Sequence, residues 1–249
     1  MKSISKILLP ILFLFSLLNL SAQSVVATNS WTASFAQLAG AEDVLILAPS
    51  DMKHPPEYEI SLKEMQMVAK ADFLIFAGYE AMMGRIRESL GENSALQMVQ
   101  IQTVNDQKTI RGSVMKIAAA LGTQSKAEEN LKEVDTFFEL WKKDLTLHQN
   151  ILETSIIHFH QQGLAVSLGF QPQMIFGPAP PTLGETREVL RIKPSLIIDN
   201  YHNPVADHFM EMDEKPALVN WINFPGTMGT VSLLDVLEYN KNQLSQVLK

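Results

Sequence analysis

The segment Ser125–Leu147, SKAEENLKEVDTFFELWKKDLTL, decides the reading of the whole chain. Its apolar residues Ala127, Leu131, Val134, Phe138, Trp141 and Leu145 recur at steps of four and three. That alternation keeps one stripe of a helix apolar over about five turns. Ser125-Lys-Ala-Glu128 has the form of a capping box, so the helix is expected to begin there and to run from about Lys126 to Leu147. At about 1.5 Å per residue such a helix is roughly 33 Å long. It is long enough to pack across two lobes, and equally able to serve as a long amphipathic helix within one domain. If two lobes are joined by one packed helix, their cleft should be largely pre-formed.

Outward from this segment, strand-like and helix-like stretches alternate on both sides. Before it, Val25–Thr28, Val44–Leu47, Asp72–Ala77 and Gln97–Ile101 read as strands. The unbroken apolar run at Val44–Leu47 suits a strand covered on both faces. Ser61-Leu-Lys-Glu64 is a second capping box opening a helix to about Ala69, and Tyr79–Leu90 reads as another helix. After it, Ser155–His160, Gln173–Phe176, Ser195–Asp199 and Ala217–Ile222 are expected strands. Gln161–Leu168, Leu183–Arg191, Pro204–Met212 and Ser232–Val247 are expected helices. Alternation of this kind implies α/β architecture with mostly parallel sheets flanked by helices.

Apolar residues make up 46% of the 249-residue chain and charged residues 19%, enough to build a packed core and exclude a disordered chain. Lys2 and Lys6 precede the apolar stretch Ile7–Leu20, which Pro10, Ser16 and Asn19 interrupt, and Ser21-Ala22 follows. Residues 1–22 are therefore expected to be a signal peptide cleaved after Ala22, the other reading being an uncleaved anchor. There is no cysteine, so disulfides and thiolate metal sites are excluded. The net charge of −7 becomes about −9 once Lys2 and Lys6 are removed, which argues against nucleic acid as a partner.

Chemistry concentrates in the histidines. In open α/β sheets, ligands bind outside the carboxyl ends of the strands. His54 follows the second strand, and His158 and His160 end the first strand of the second half. Asp199 ends a later strand, His202 lies in the loop beyond it, and His208 lies in the helix expected after that. The i, i+2 spacing of His158 and His160 would place both on one face of a strand. His148 reads as a solvated residue beyond the long helix. Imidazoles with a carboxylate and no thiolate suit zinc, and less specifically manganese. For each histidine taken singly, an ordinary hydrogen-bonded role is an equal reading. Gly177-Pro-Ala-Pro-Pro181 reads as a stiff loop at a cleft edge, and Gly226-Thr-Met-Gly-Thr230 as a flexible one without phosphate-loop spacing. His158-Phe-His160-Gln-Gln162 begins like the H-x-H-x-D of some metallohydrolases but carries Gln162 where Asp is required. With no evident general base, a secreted metal-dependent hydrolase is the weakest reading.

These residues resemble the periplasmic zinc/manganese solute-binding proteins of ABC transporters, the ZnuA/TroA type. The resemblance rests on Leu45-Ile-Leu-Ala-Pro49 with His54 and Tyr58-Glu-Ile-Ser61, and on Ala71–Glu80. It continues through the long helix, Ile157-His-Phe-His160, Pro194–Asp199 with Pro204, and Leu237-Glu-Tyr-Asn240. It implies two lobes joined by one linking helix, with residues 23–122 the first lobe, 123–150 the link and 151–249 the second lobe. It also implies a divalent metal held between the lobes, a monomer, an ABC permease as partner, a periplasmic or secreted location and no catalysis. Carried over, His54, His160 and Asp199 are the first ligand candidates, with His158, His202 and His208 beside them. The departures are Pro56 where the family places its first His, Asn223-Phe-Pro-Gly226 where it places a late Asp, and no His-rich acidic loop. A helix-linked protein for haem, a corrinoid or a metal chelate is the second reading, set back by 8% aromatics and sparse arginine.

Overall fold

The computed structural model describes residues 23–91, 95–210 and 215–248; the expected signal peptide, residues 1–22, lies outside them. The first half runs β1 (Val25–Ala27), α1 (Ser30–Leu38), β2 (Val44–Ile46), α2 (Leu62–Val68), β3 (Phe73–Phe76), α3 (Met82–Leu90), β4 (Gln97–Gln100) and α4 (Gln107–Leu121). The linking helix α5 spans Gln124–Leu145, with the short α6 (Gln149–Glu153) after it. The second half runs β5 (Ser155–His158), α7 (Gln162–Ser167), β6 (Met174–Phe176), α8 (Leu183–Ile192), β7 (Leu196–Asn200), β8 (Ala217–Trp221) and α9 (Leu233–Ser245).

Each half contains a four-stranded sheet, ordered β2-β1-β3-β4 in one and β6-β5-β7-β8 in the other. Every pairing is parallel. In each, the chain leaves the first strand to one side and returns to the other, so each lobe has a switch point between its two central strands. The carboxyl ends of those strands are where a crevice forms.

The six apolar residues of the long segment are all buried along α5. They join Phe35, Ile110 and Val114 of the first lobe with Trp221 and Leu237 of the second in one continuous core. Trp141 meets Trp221 edge-on at 5.7 Å between ring centroids. The start of the helix differs from the expectation. Gly122 ends α4 in a left-handed conformation, φ 76, and α5 begins two residues later with Thr123 at its N-cap and no side-chain cap. This tight turn draws Ser125 into the first turn of the helix. Glu128 pairs instead with Arg111 of α4, 2.9 Å away.

The capping box at Ser61 and Glu64 forms as expected. Strand β2 departs from its reading. It sits at the sheet edge, pairs only with β1, and leaves Leu45 37% exposed. Helices α1 and α4 were not legible as helices, although Asn29 and Asp106 cap them. The helix expected over Pro204–Met212 is reduced, among the described residues, to one 3-10 turn at Ala206–Phe209. The strand expected to reach His160 ends at His158, and Phe159–Gln161 form a 3-10 turn. His158 and His160 therefore do not share a strand face.

Candidate functional site

A cleft of about 1130 Å³ lies between the lobes. The first lobe contributes Asn29 just beyond β1, Ala77 just beyond β3, the loop with Lys53 and His54, and the stretch Ile101–Val104 after β4. The second lobe contributes Phe159 and His160 after β5, Asn200 and His202 at and beyond the end of β7, and Asn223 and Phe224 after β8. Both switch points thus open into one space.

The structure separates the six candidate ligands. His54, His160 and His202 line the cleft, the first from one lobe and the other two from its partner lobe. His54 is exposed and sits at the start of the 3-10 turn Pro55–Glu57. His160 is exposed on the cleft wall, and desolvation by its surroundings lowers its pKa. His202 is only 6% exposed. Its ring stacks on Phe224 with centroids 3.9 Å apart and planes 18° from parallel, and neither ring nitrogen has a hydrogen-bond partner. Burial first, then the charges of His54 and Lys53, push its pKa down to about 4.

The other three candidates face elsewhere. His158 is fully buried. Its Nδ1 accepts the backbone N–H of His160 at 3.1 Å, which fixes the neutral ring with its proton on Nε2. Gly177 packs directly against the other edge, where an added Cβ would stand 2.6 Å from Nε2. Burial, then His160, lowers its pKa to about 4. Gly177 thus packs on His158, while the Pro178 carbonyl accepts from the cleft-lining Asn203 at 2.9 Å, and no residue of Gly177–Pro181 lines the cleft itself. Asp199 is 2% exposed and absorbed by its own loop. Its Oδ1 accepts the N–H of Asn200 at 2.8 Å, and its Oδ2 accepts those of Val205 and Ala206 at 2.9 and 2.8 Å. Burial raises its pKa, and the three amides oppose that rise. His208 is exposed on the Ala206–Phe209 turn, outside the cleft lining.

Residues that the sequence did not point to stand behind the cleft-lining Asn200, Asn223 and Trp31 and hold them. Gln161 Nε2 donates to Asn200 Oδ1 at 3.0 Å, to Asn223 Oδ1 at 2.6 Å and to the Trp221 carbonyl at 3.1 Å. Asn105 Nδ2 donates to the Asn223 carbonyl at 2.7 Å, and its Oδ1 accepts from Trp31 Nε1 at 2.9 Å. Buried Glu80 accepts from Thr28 Oγ1 at 2.6 Å and from the amides of Ala77 and Gly78 at 2.9 and 2.6 Å, shaping the turn after β3. Asn and Gln carry no periodic signature, so only their convergence in space shows this network. Among the described residues, no group of three or more His, Cys, Asp or Glu is gathered closely enough to hold a metal ion.

No family model matches the chain, and no curated protein matches it. Solved structures do. The laminin-binding adhesin Lmb of Streptococcus agalactiae aligns with a TM-score of 0.69 at 16% identity, over 91% of this chain and all of that one. A Zn(II)-bound variant of AdcAII from Streptococcus pneumoniae aligns with a TM-score of 0.67 at 15% identity, over 91% of this chain and 99% of that one. The solute-binding protein FpvC of Pseudomonas aeruginosa, solved with a Ni²⁺ ion, aligns with a TM-score of 0.64 at 12% identity, over 90% and 96%. With two parallel sheets, two lobes and one linking helix, the chain has the fold of the metal-binding solute-binding proteins of ABC transporters.

Proposed function

We propose that this chain is an extracytoplasmic solute-binding protein. It captures a divalent transition metal, zinc first and manganese next, in the cleft between its lobes and delivers it to the permease of an ABC importer. The observation that carries the reading is that His54, His160 and His202, from three loops and both lobes, all line one cleft at the carboxyl ends of two parallel sheets. Neutral imidazole is the commonest protein ligand for such metals. The fold is shared with proteins solved with Zn(II) and Ni²⁺ bound. The division into residues 23–122, 123–150 and 151–249 belongs to this reading, as do a monomeric state, a periplasmic or secreted location, cleavage near Ala22 and the absence of a catalytic step. Among the described residues no helix is long and apolar enough to cross a membrane.

One observation favours the second reading, a metal carried within a chelate, a corrinoid or haem. A cleft of about 1130 Å³ lies just above the usual range of small-molecule sites and far exceeds the volume of an ion. Both readings put a transition metal in the cargo. Elemental analysis of the protein, purified without chelating resins from cells grown with trace metals, is expected to return about one equivalent of a transition metal. Metal-free protein that takes up no zinc, manganese or metal complex at micromolar concentration would overturn both.

A further inference from the structure

A bare zinc ion is held by three or four protein donors at about 2.0–2.3 Å. This cleft does not gather them. The Asp199 carboxylate is spent on three backbone amides. His158 lies outside the cleft lining, with the His160 amide on its Nδ1, Gly177 packed against its other edge and Nε2 without a partner. The polar end of the cleft carries an amide network built on Gln161, which donates to Asn200, Asn223 and the Trp221 carbonyl.

His202 is the exception. It is more than nine-tenths buried, lines the cleft, and has both ring nitrogens without a partner, while Phe224 holds its ring flat. A buried polar group left unpaired is costly, and in native proteins each such group calls for an explanation. A ligand that seats on it supplies one. A single buried imidazole can fill only one coordination position. The remaining positions must arrive with the cargo. The space around His202 suits an organic companion, because Trp31, Tyr79 and Phe159 line the same cavity. Aromatic rings suit the organic part of such a partner, and Lys53, Glu57 and Asp106 line the same cleft.

Resting on the reading that the cargo contains a transition metal, we propose that the metal enters as a complex with an organic chelator. The His202 imidazole takes its open coordination position, and the aromatic walls hold the organic part.

The probe is the one-to-one complex of Cu(II) with 1,10-phenanthroline, a flat chelator that leaves coordination positions open. It is titrated into the protein beside CuCl₂ alone and phenanthroline alone, by calorimetry and by the visible copper absorption, which moves to shorter wavelength when imidazole replaces water. The complex is expected to bind one-to-one and at least about tenfold tighter than either component. His202→Phe keeps a ring stacked on Phe224 while removing both ring nitrogens, so it separates coordination from folding. In this variant at least about tenfold of the affinity and the absorption shift are expected to be lost. His148→Ala, outside the cleft, is expected to behave as the wild type. One-to-one binding of CuCl₂ as tight as that of the complex would sink the chelate and leave the metal-carrier reading standing. Unchanged binding and spectrum in His202→Phe would remove His202 from the site. Phenanthroline alone binding as well as the complex, or no binding by any of the three, would overturn the chelate, and the metal-carrier reading would then stand or fall on uptake of zinc and manganese.

Discussion

His158 and His202 are two imidazoles that the fold keeps neutral. Each has a pKa of about 4, set first by burial, against about 6.5 in an unfolded chain. Below pH 6.5 the unfolded chain takes up protons that the folded one refuses, so stability is full at neutral pH and falls as pH drops toward 4. Asp199 works in the opposite sense toward the acid end, because its raised pKa lets the folded state bind a proton first. Urea unfolding followed from pH 7.5 to 4.5 is expected to show a falling midpoint through this window. The fall should be shallower in His158→Asn, which keeps an acceptor for the His160 amide but does not titrate. Asp199→Ala is expected to cost roughly 2–4 kcal/mol at pH 7, because it leaves three buried amides without an acceptor. A loss below about 0.5 kcal/mol, within the range of an ordinary surface substitution, would show that the loop finds other partners. The histidines of the cleft could be found in the sequence because loops after parallel strands are where ligands bind. The fate of Asp199 could not. Whether a carboxylate at a strand end faces the crevice or turns back onto its own loop depends on backbone amides six and seven residues later. The amide network was hidden for a related reason, since Gln161, Asn200 and Asn223 come from three separate stretches of the chain.

Among the elements, the buried face of α5 was legible residue by residue because its six apolar positions each meet the core, although its ends were not. Amphipathic spacing reports burial directly when one face packs and the other is wet. Helix α1 was not legible because Thr32, Ala33, Ser34, Phe35 and Ala36 are buried in succession, and a helix covered on most sides loses its stripe. Strand β2 misled in a different way, since an apolar run does not say whether its strand lies at the centre or the edge of a sheet. The two capping boxes give a test at this scale. At Ser61 the reciprocal bonds with Glu64 exist, with Ser61 Oγ 3.3 Å from the Glu64 amide. At Ser125 they do not, because the helix has already begun. Ser61→Ala is expected to lower stability by about 1 kcal/mol, whereas Ser125→Ala should change it by less than about 0.5 kcal/mol. Equal losses at the two positions, read from chemical denaturation, would contradict the assignment of the helix start. Trp141→Ala, which empties the junction with Trp221, is expected to cost about 3–5 kcal/mol.

At the scale of the molecule, the lobes are held at the back by α5 and at the front by direct contacts across the cleft. Ser30 Oγ donates to the Pro225 carbonyl at 2.7 Å, Asn105 Nδ2 reaches the Asn223 carbonyl at 2.7 Å, and Trp31 lies 5.8 Å from Phe224. Gly163 of the second lobe lies so close to Val104 of the first that an added Cβ would stand 2.3 Å from its side chain. With both sides fastened, the cleft is set before cargo arrives, and binding should move the lobes little. The radius of gyration from solution scattering is expected to change by less than about 1 Å on loading, the range of pre-organised complexes. Gly226 is the contact that can be opened by one substitution. Its φ of +116 suits glycine alone, and a Cβ there would fall 1.9 Å from the Ser50 carbonyl of the opposite lobe. Backbone cannot yield as a flexible side chain can, so the front of the cleft must part or the loop must refold. Gly226→Ala is expected to cost about 1–3 kcal/mol in stability and to widen the cleft. Scattering should then show a larger particle that contracts on loading, and cargo affinity should fall because closing the lobes now draws on binding energy. A Gly226→Ala protein with the stability, dimensions and affinity of the wild type would mean that the front contacts do not set the cleft. The linking helix alone would then have to hold the two lobes in place.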